Sequence, residues 1–381
     1  MPTPALTDSQ LREAADAYVS CGQNKAAAAR SLGMRENTYK HRLGVAISRG
    51  FHTGYDVNYP VPEGFAVTGI SSLVDTGTGK AKLQWVKSSK DKERQAEILQ
   101  EAYTAMCADI PRVAPTPPPV NVVADLCNQY TITDYHLGML AWHKEGGADW
   151  DLNIATKTLI ASFAAMMAGS PDTHTCIIGQ LGDFLHSDGL LPVTPTSGHV
   201  LDQDGRFSKI VEAAITVLRQ LVSMALEKHE HVHVIMAEGN HDMASSVWLR
   251  KMFKAVYENE PRISVNDSEL PYYVYEWGKC MIGFSHSHTK KKEALPILFA
   301  TEFSEIWGRT TYRVIHTGHN HHGDMKEHSG ITVWQHNTLS ARDSHASRGG
   351  WYAERKATSI TYHKDFGQVA TNEVRPEMIS A

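Results

Sequence analysis

Five short apolar runs in the chain each stop at a polar cluster, and this repetition constrains the fold more than any other feature. Tyr130-Thr131-Ile132-Thr133 leads into Asp134-Tyr135-His136, and Thr175-Cys176-Ile177-Ile178-Gly179-Gln180-Leu181 leads into Gly182-Asp183. Val232-His233-Val234-Ile235-Met236-Ala237 leads into Gly239-Asn240-His241-Asp242. Cys280-Met281-Ile282-Gly283-Phe284-Ser285 ends at His286, and Tyr312-Arg313-Val314-Ile315-His316-Thr317 ends at Gly318-His319-Asn320-His321. Short β-branched and apolar runs of this kind read as buried strands. Helical patterns lie among them, at Asn153–Ala168 and at Ile210–His229. Strands alternating with helices predict an α/β domain. In such sheets a ligand site lies beyond the carboxyl ends of the strands, so five strand-ending clusters in one domain can converge on one centre.

The chemistry of the clusters points to metal. The 381-residue chain has 21 histidines, and they crowd into its second half. The candidate donors are Asp134, His136, Asp183, Asn240, His286, His319 and His321. With positions kept open for water and substrate, that set exceeds the needs of one catalytic ion. It suits two ions sharing a carboxylate. Imidazole favours borderline first-row ions such as Mn, Fe, Co, Ni and Zn, while carboxylate and carbonyl oxygens pull towards harder ions, Mn first and Mg as a further option. No cysteine is among the donors, which argues against a structural zinc. Two ions roughly 3.5–4 Å apart can clamp the attacking and leaving oxygens of a phosphoryl displacement.

Asp-x-His, Gly-Asp, Gly-Asn-His-Asp, a lone His and Gly-His-x-His, in this order, resemble the calcineurin-like metallophosphoesterase superfamily over roughly residues 120–340. The resemblance implies a two-sheet αββα sandwich with a dinuclear site at the sheet edges. It implies one metal held by Asp134, His136, Asp183 and His321, and a second held by Asp183, Asn240, His286 and His319, with Asp183 bridging. It makes His241 the residue that stabilises the transition state or protonates the leaving oxygen. Asp242 then supports that loop. Phosphatase-like members carry an Asp three residues after the bridging Asp; here His186 stands there. Gly182-Asp183-Phe184-Leu185-His186 is closer to the double-strand-break repair nucleases, so His186 is expected beside His241 as a substrate or catalytic neighbour. Many members carry Asn-Pro-Gly-Ser after Gly-His-x-His, whereas this chain has Gln335-His336-Asn337-Thr338-Leu339-Ser340. The implied activity is hydrolysis of phosphodiester bonds by metal-activated hydroxide, in DNA first. The alternatives are a small-molecule or nucleotide phosphodiesterase, a phosphomonoesterase, or a DNA-binding regulator with a non-hydrolytic phosphoesterase scaffold.

DNA enters through the N-terminal residues. A helix over 7–20, a short Ala-rich helix, a Gly33-Met34 turn and a third helix over Glu36–Ser48 form a helix-turn-helix pattern. Ala27 or Ala28 would let the helices approach, and Leu32 and Leu43 would fill the core. The third helix would present Asn37, Tyr39, Lys40, His41 and Arg42 to phosphates and base edges. A small helical bundle used for dimerisation is the bland alternative, and a homo-oligomer is an open expectation. Residues 65–87 predict a β-hairpin and 91–110 an amphipathic helix; 51–110 together read as a possible wing. Pro115-Thr116-Pro117-Pro118-Pro119 reads as part of a stiff linker over 111–119, ahead of the catalytic domain at 120–381. A helix-turn-helix module before a metallophosphoesterase resembles an arrangement of phage and prophage proteins.

The formal charge of −5 excludes a uniformly basic nucleic-acid-coating protein but not a basic patch. No signal peptide and no 18-residue apolar stretch is seen, so the expectation is a cytoplasmic protein (host cytoplasm if phage-encoded) without membrane contact. Five scattered cysteines without a CxxC pair fit a reducing compartment. His288 competes with His286 for the fourth cluster. His231 and His233 share one strand face and read as structural histidines. Trp351, Tyr352 and the Lys290–Lys292 run read as packing and a solvated loop.

Overall fold

A computed structural model describes residues 6–48, 51, 65–74, 81–90, 112–195 and 197–379. The chain divides into two compact units, Met1–Asp109 and Ile110–Ala381.

In the first unit, α1 (Asp8–Ser20), α2 (Lys25–Ser31) and α3 (Glu36–Ser48) pack around Ala14, Ala28, Ala29, Tyr39 and Leu43. Local sequence sets the starts. Thr7 and Gln10 close a capping box on α1, and the Asn24 side chain accepts from the Ala26 and Ala27 N–H groups. Gly33, at φ 64°, makes the turn between α2 and α3. The helix-turn-helix order is therefore present, but one expected contact residue is not on its surface. Tyr39 is fully buried, and its hydroxyl donates to the Ala14 carbonyl at 2.8 Å. Its ring repeats at helical spacing with Leu43 and Ala46, so it belongs to the core face. Asn37, Lys40 and His41 are exposed, and Arg42 is half-buried near Glu13 at 3.8 Å. The expected hairpin is β1 (Phe65–Val74) paired antiparallel with β2 (Ala81–Lys90). The expected helix over 91–110 lies outside the described residues.

The second unit is a four-layer sandwich. One sheet has the order β13-β12-β3-β4-β5-β6, with β3 (Val123–Ile132), β4 (Thr173–Gln180), β5 (His231–Met236) and β6 (Ile263–Val265) parallel. Three crossover helices link these strands: α4 (Leu152–Ala168), α5 (Phe207–Lys228) and α6 (Met243–Val256). β12 (Ala357–His363) and β13 (Gly367–Val374) extend the same sheet antiparallel. The other sheet has the order β10-β11-β9-β8-β7, with β8 (Cys280–Ser285) parallel to β9 (Tyr312–Thr317) and β9 parallel to β11 (Ile331–Gln335). Its edges are β7 (Tyr273–Trp277) and β10 (Asp324–His328).

Burial follows the patterning. α5 turns Ile210, Ala214, Val217, Leu218, Leu221 and Ala225 to the first sheet, a 3.6-residue stripe. Ile177, Ile235, Ile282, Phe284 and Ile360 meet between the two sheets. Met281, Ile315 and Val333 cover the outer face of the second sheet against Leu295 and Phe299. The two-sheet αββα sandwich that the resemblance implied is thus the observed architecture. The Pro-rich segment does not hang free over its described part. Val113 N–H donates to the Val256 carbonyl, Thr116 donates to Glu260, and the buried Arg262 guanidinium donates to the Thr116 and Pro117 carbonyls.

Candidate metal centre

Parallel strands bring their carboxyl ends to one edge, and the five polar clusters sit there, after β3, β4 and β5 of one sheet and β8 and β9 of the other. The loops that carry them are tightly wound. Asp134, His136, Asp183, His319 and His321 all adopt positive φ, between 47° and 75°. Such backbone is sparsely populated for non-glycine residues and costs of order 1 kcal/mol or more at each position. Its concentration at these residues marks a place where side-chain direction outweighs backbone ease. Two glycines admit the close approach of neighbouring loops. A Cβ on Gly239 would collide with Asp183, and one on Gly318 would collide with Thr133 and Asp134.

At this edge two donor groups contain a carboxylate. Asp134, His136 and His321 form one, and Asp183, His286 and His319 form the other; His136 also groups with His186 and His241. In the first, His136 Nε2 lies 3.3 Å from His321 Nε2, and His321 Nε2 lies 3.3 Å from Asp134 Oδ1. In the second, His286 Nε2 lies 3.1 Å from Asp183 Oδ2 and 3.2 Å from Asn240 Oδ1. His286 Nε2 is also 3.9 Å from Asp134, so the groups adjoin. Donors bound to one ion at about 2.0–2.2 Å sit roughly 3–3.5 Å from one another. These spacings suit a divalent ion in each group, whose ligand atoms all lie within 4.8 Å of one another. All seven donors expected from the sequence are brought together here.

Charge supports the same fit. Asp134, Asp183, His136 and His286 are at most 4% exposed. Burial lowers the His286 pKa, but the Asp183 and Asp134 carboxylates outweigh it and hold the ring up at about 9. Burial opposes ionisation of Asp183, yet the His286 and His136 rings keep its carboxyl well below its ordinary value. His321 is likewise raised, with Asp134 overcoming burial. The carboxylates thus raise His286 and His321 while burial lowers His136 and His319, a balance in which a cation can replace the protons.

His241 stands beside the first group. Its ring is 4.6 Å from that of His136, its backbone N–H donates to Asp183 Oδ1 at 2.8 Å, and its Nδ1–H donates to the His186 carbonyl at 2.8 Å. His186 is buried, stacked 5.6 Å from His241, with Nδ1 3.3 Å from His136 Nδ1. Burial, and then His241, push the His186 pKa down to about 3, which keeps the ring neutral. Asp242 takes no place among the donors. Its carboxylate accepts from the backbone N–H groups of Asp183, Phe184, Leu185 and Gly239 at 2.7–3.2 Å. It ties the loop after β4 to the loop after β5. Burial, and then Asp183, push its carboxyl up to about 7 against those N–H groups.

Two contributors were not singled out from the sequence. Thr338 and Ser340 both donate to the Asp134 carbonyl, at 2.7 and 3.0 Å, bracing that strained residue. They occupy the stretch that departs from Asn-Pro-Gly-Ser, and their only signal was a pair of hydroxyls two residues apart. His288 packs 5.4 Å from His286, with both ring nitrogens buried and without a hydrogen-bond partner. It is the histidine that competes with His286 for the fourth cluster in the sequence. Burial, and then His286, lower its pKa to about 4.

No family model matches the sequence, and no curated protein matches it. Solved structures similar to the chain include a predicted phosphoesterase from Streptococcus pneumoniae, at 11% identity and TM-score 0.27, covering 66% of this chain and 99% of that one. Vacuolar Protein Sorting 29 from Cryptosporidium parvum is similar at 12% identity and TM-score 0.33, covering 66% of this chain and 98% of its own. An archaeal phosphodiesterase gives 12% identity and TM-score 0.33, covering 65% of this chain and 98% of that chain. At these values the strand order and the donor geometry, rather than the likenesses, carry the functional reading.

Proposed function

We propose that the chain is a dinuclear metal-dependent phosphoesterase that hydrolyses phosphodiester bonds, with DNA as the first substrate to test. The reading is supported above all by the two adjoining carboxylate–imidazole groups at five converging strand ends. Asp134, His136, Asp183 and His321 would hold one ion, and Asp183, Asn240, His286 and His319 the other. Two divalent ions of the Mn, Fe, Zn, Co, Ni or Mg type, when bound, supply Lewis acidity at the phosphoryl oxygens and a water of lowered pKa. The chain's own residues do the rest. His241, oriented through Nδ1 by the His186 carbonyl, offers Nε2 to stabilise charge on phosphorus oxygens or to hand a proton to the leaving oxygen. Asp242 and Asp183 fix the loop from which His241 projects. His186, neutral and buried, holds its side of the pocket. The exposed Asn37, Lys40 and His41 on a helix-turn-helix favour DNA. The net charge of −5 favours the second reading, a small-molecule or nucleotide phosphodiesterase or a phosphomonoesterase.

With Mn²⁺ present, hydrolysis of a generic phosphodiester, a phosphomonoester, single-stranded DNA and double-stranded DNA is compared for the native chain and His241→Ala. The expectation is diester and DNA cleavage by the native chain, with at least a hundredfold loss in His241→Ala at unchanged metal content. Full turnover in that variant removes His241 from the reaction. Cleavage of the monoester or of small diesters alone selects the second reading. Salt-dependent DNA binding without hydrolysis of any substrate selects a regulator.

A further inference from the structure

The opposite ends of the same strands carry a second histidine–carboxylate cluster, unconnected with the centre described above. His174 is the second residue of β4, His231 is the first of β5, and Glu230 precedes it. β4 and β5 are adjacent and parallel, so these residues start side by side. The six residues of β5 separate them from the phosphoesterase edge by roughly 20 Å.

The ring centroids of His174 and His231 are 4.8 Å apart. His174 Nε2 lies 3.8 Å from Glu230 Oε2, and His231 Nε2 lies 4.0 Å from Glu230 Oε1. One donor atom from each of the three residues falls within 4.8 Å of the others. Ligands at about 2.0–2.2 Å from a tetrahedral ion are roughly 3.4 Å apart, so small ring rotations would close the set. The orientation is also prepared. His174 Nδ1 is hydrogen-bonded to the buried Thr175 hydroxyl at 2.9 Å, which turns Nε2 towards Glu230. A hydrogen bond at the far nitrogen is the usual support of a ligating histidine. Burial, and then His174, draw the His231 pKa below its ordinary value, so its neutral ligating form prevails near pH 7. Among the described residues, Glu230 makes ion pairs only with these two imidazoles. The three side chains are 32%, 40% and 45% exposed, leaving room for water on the remaining coordination positions.

We propose that His174, Glu230 and His231 form a separate site for a borderline divalent ion, of which Zn²⁺ is the probe, clamping the starts of β4 and β5. Two imidazoles and one carboxylate select Zn²⁺-like ions over Mg²⁺ and Ca²⁺, which prefer oxygen donors throughout. From the sequence alone His231 reads as a structural histidine. The carboxylate beside it and the ring of His174 on the neighbouring strand give it a different part.

The full chain is stripped with a chelator, loaded with Zn²⁺, desalted and analysed for zinc per chain. The native chain is expected to hold one ion more than His174→Ala/His231→Ala, whatever the occupancy of the other centre. In an Asp183→Ala background, calorimetric titration with Zn²⁺ is expected to retain this site, and adding His231→Ala is expected to abolish it. His174→Gln/His231→Gln, with side chains of similar size, replaces the alanine pair if circular dichroism shows that the pair does not fold. Equal zinc content in the native chain and the folded double variant overturns the proposal, as does the absence of any Zn²⁺ uptake in the Asp183→Ala background. Failure of the phosphoesterase reading leaves the one-ion difference intact, so the two are separately decided.

Discussion

Asp242 holds no ion in the proposed centre, yet four backbone N–H groups from two loops end on its carboxylate. Asp242→Ala leaves all four without their acceptor at a buried position. Unsatisfied buried donors cost about 1–3 kcal/mol each, and partial relaxation leaves an expected loss of about 3 kcal/mol or more. A urea titration checks this as a lower midpoint at unchanged slope, and an unmoved midpoint would show that the loops stand without the tie. Residues such as Asp134 and His319 were legible in the sequence because each directly follows a strand and bears chemistry that a strand end rarely needs. The partners of Asp242 were not legible. They are backbone groups of residues 183–185, brought near by sheet pairing, and backbone groups leave no mark in a residue pattern. Thr338 and Ser340 escaped for a related reason, since hydroxyls serve so many local turns that their target cannot be read in advance.

At the scale of elements, α3 separates what propensity reveals from what phase reveals. Its position in the chain was legible from the Gly33 turn and the helix-favouring stretch that follows. Its phase is harder to read: Asn37, Tyr39, Lys40, His41 and Arg42 take every position from 37 to 42 but Thr38, more than one outward face can hold, and Tyr39 lies on the core face. The i, i+4, i+7 spacing of Tyr39, Leu43 and Ala46 was the available signal, and a tyrosine's hydroxyl disguised it as polar. On the DNA reading, Tyr39→Phe therefore removes one buried hydrogen bond, costs about 1 kcal/mol in stability and leaves DNA affinity alone. Lys40→Ala instead weakens binding across sequences and lowers the salt dependence by about one charge. Melting curves and salt-varied DNA titrations measure the two arms. Equal loss of affinity in both variants would return Tyr39 to the contact surface.

Across the whole molecule, neutral histidines are built into the core. His229 is buried, with Nδ1–H donating to the Thr173 carbonyl at 3.0 Å and Nε2 accepting from the Tyr130 hydroxyl at 2.9 Å. That pairing satisfies both nitrogens of the neutral ring. Burial pushes His229 and His233 down to about 4. The unfolded chain takes up protons near pH 6.5 and the folded chain only near pH 4, so stability is full above 6.5 and drains as pH falls through that window. Each ring accounts for up to about 3 kcal/mol. The urea midpoint is expected to fall steeply from pH 7 to pH 4.5, and less steeply in His229→Gln. A flat profile would contradict burial of the neutral rings. The layer order itself was legible, because alternating helices and apolar runs admit few packings. The polar wiring of the core, Tyr130 to His229 among it, was not, since a histidine near a strand end reads alike whether it binds or merely packs.

The donor groups draw on both sheets: His136 and His321, whose rings meet at the centre, stand 185 positions apart. Contacts of such separation form late, after the entropy of closing long loops has been overcome. On a ribosome β3, β4 and β5 emerge with Asp134, His136, Asp183 and Asn240 before His286, His319 and His321 are made. On the two-ion reading, the chain would pass through most of its synthesis without a complete donor set. Ion capture would then report that both sheets have docked, and an exchangeable ion would stabilise finished molecules over partial ones.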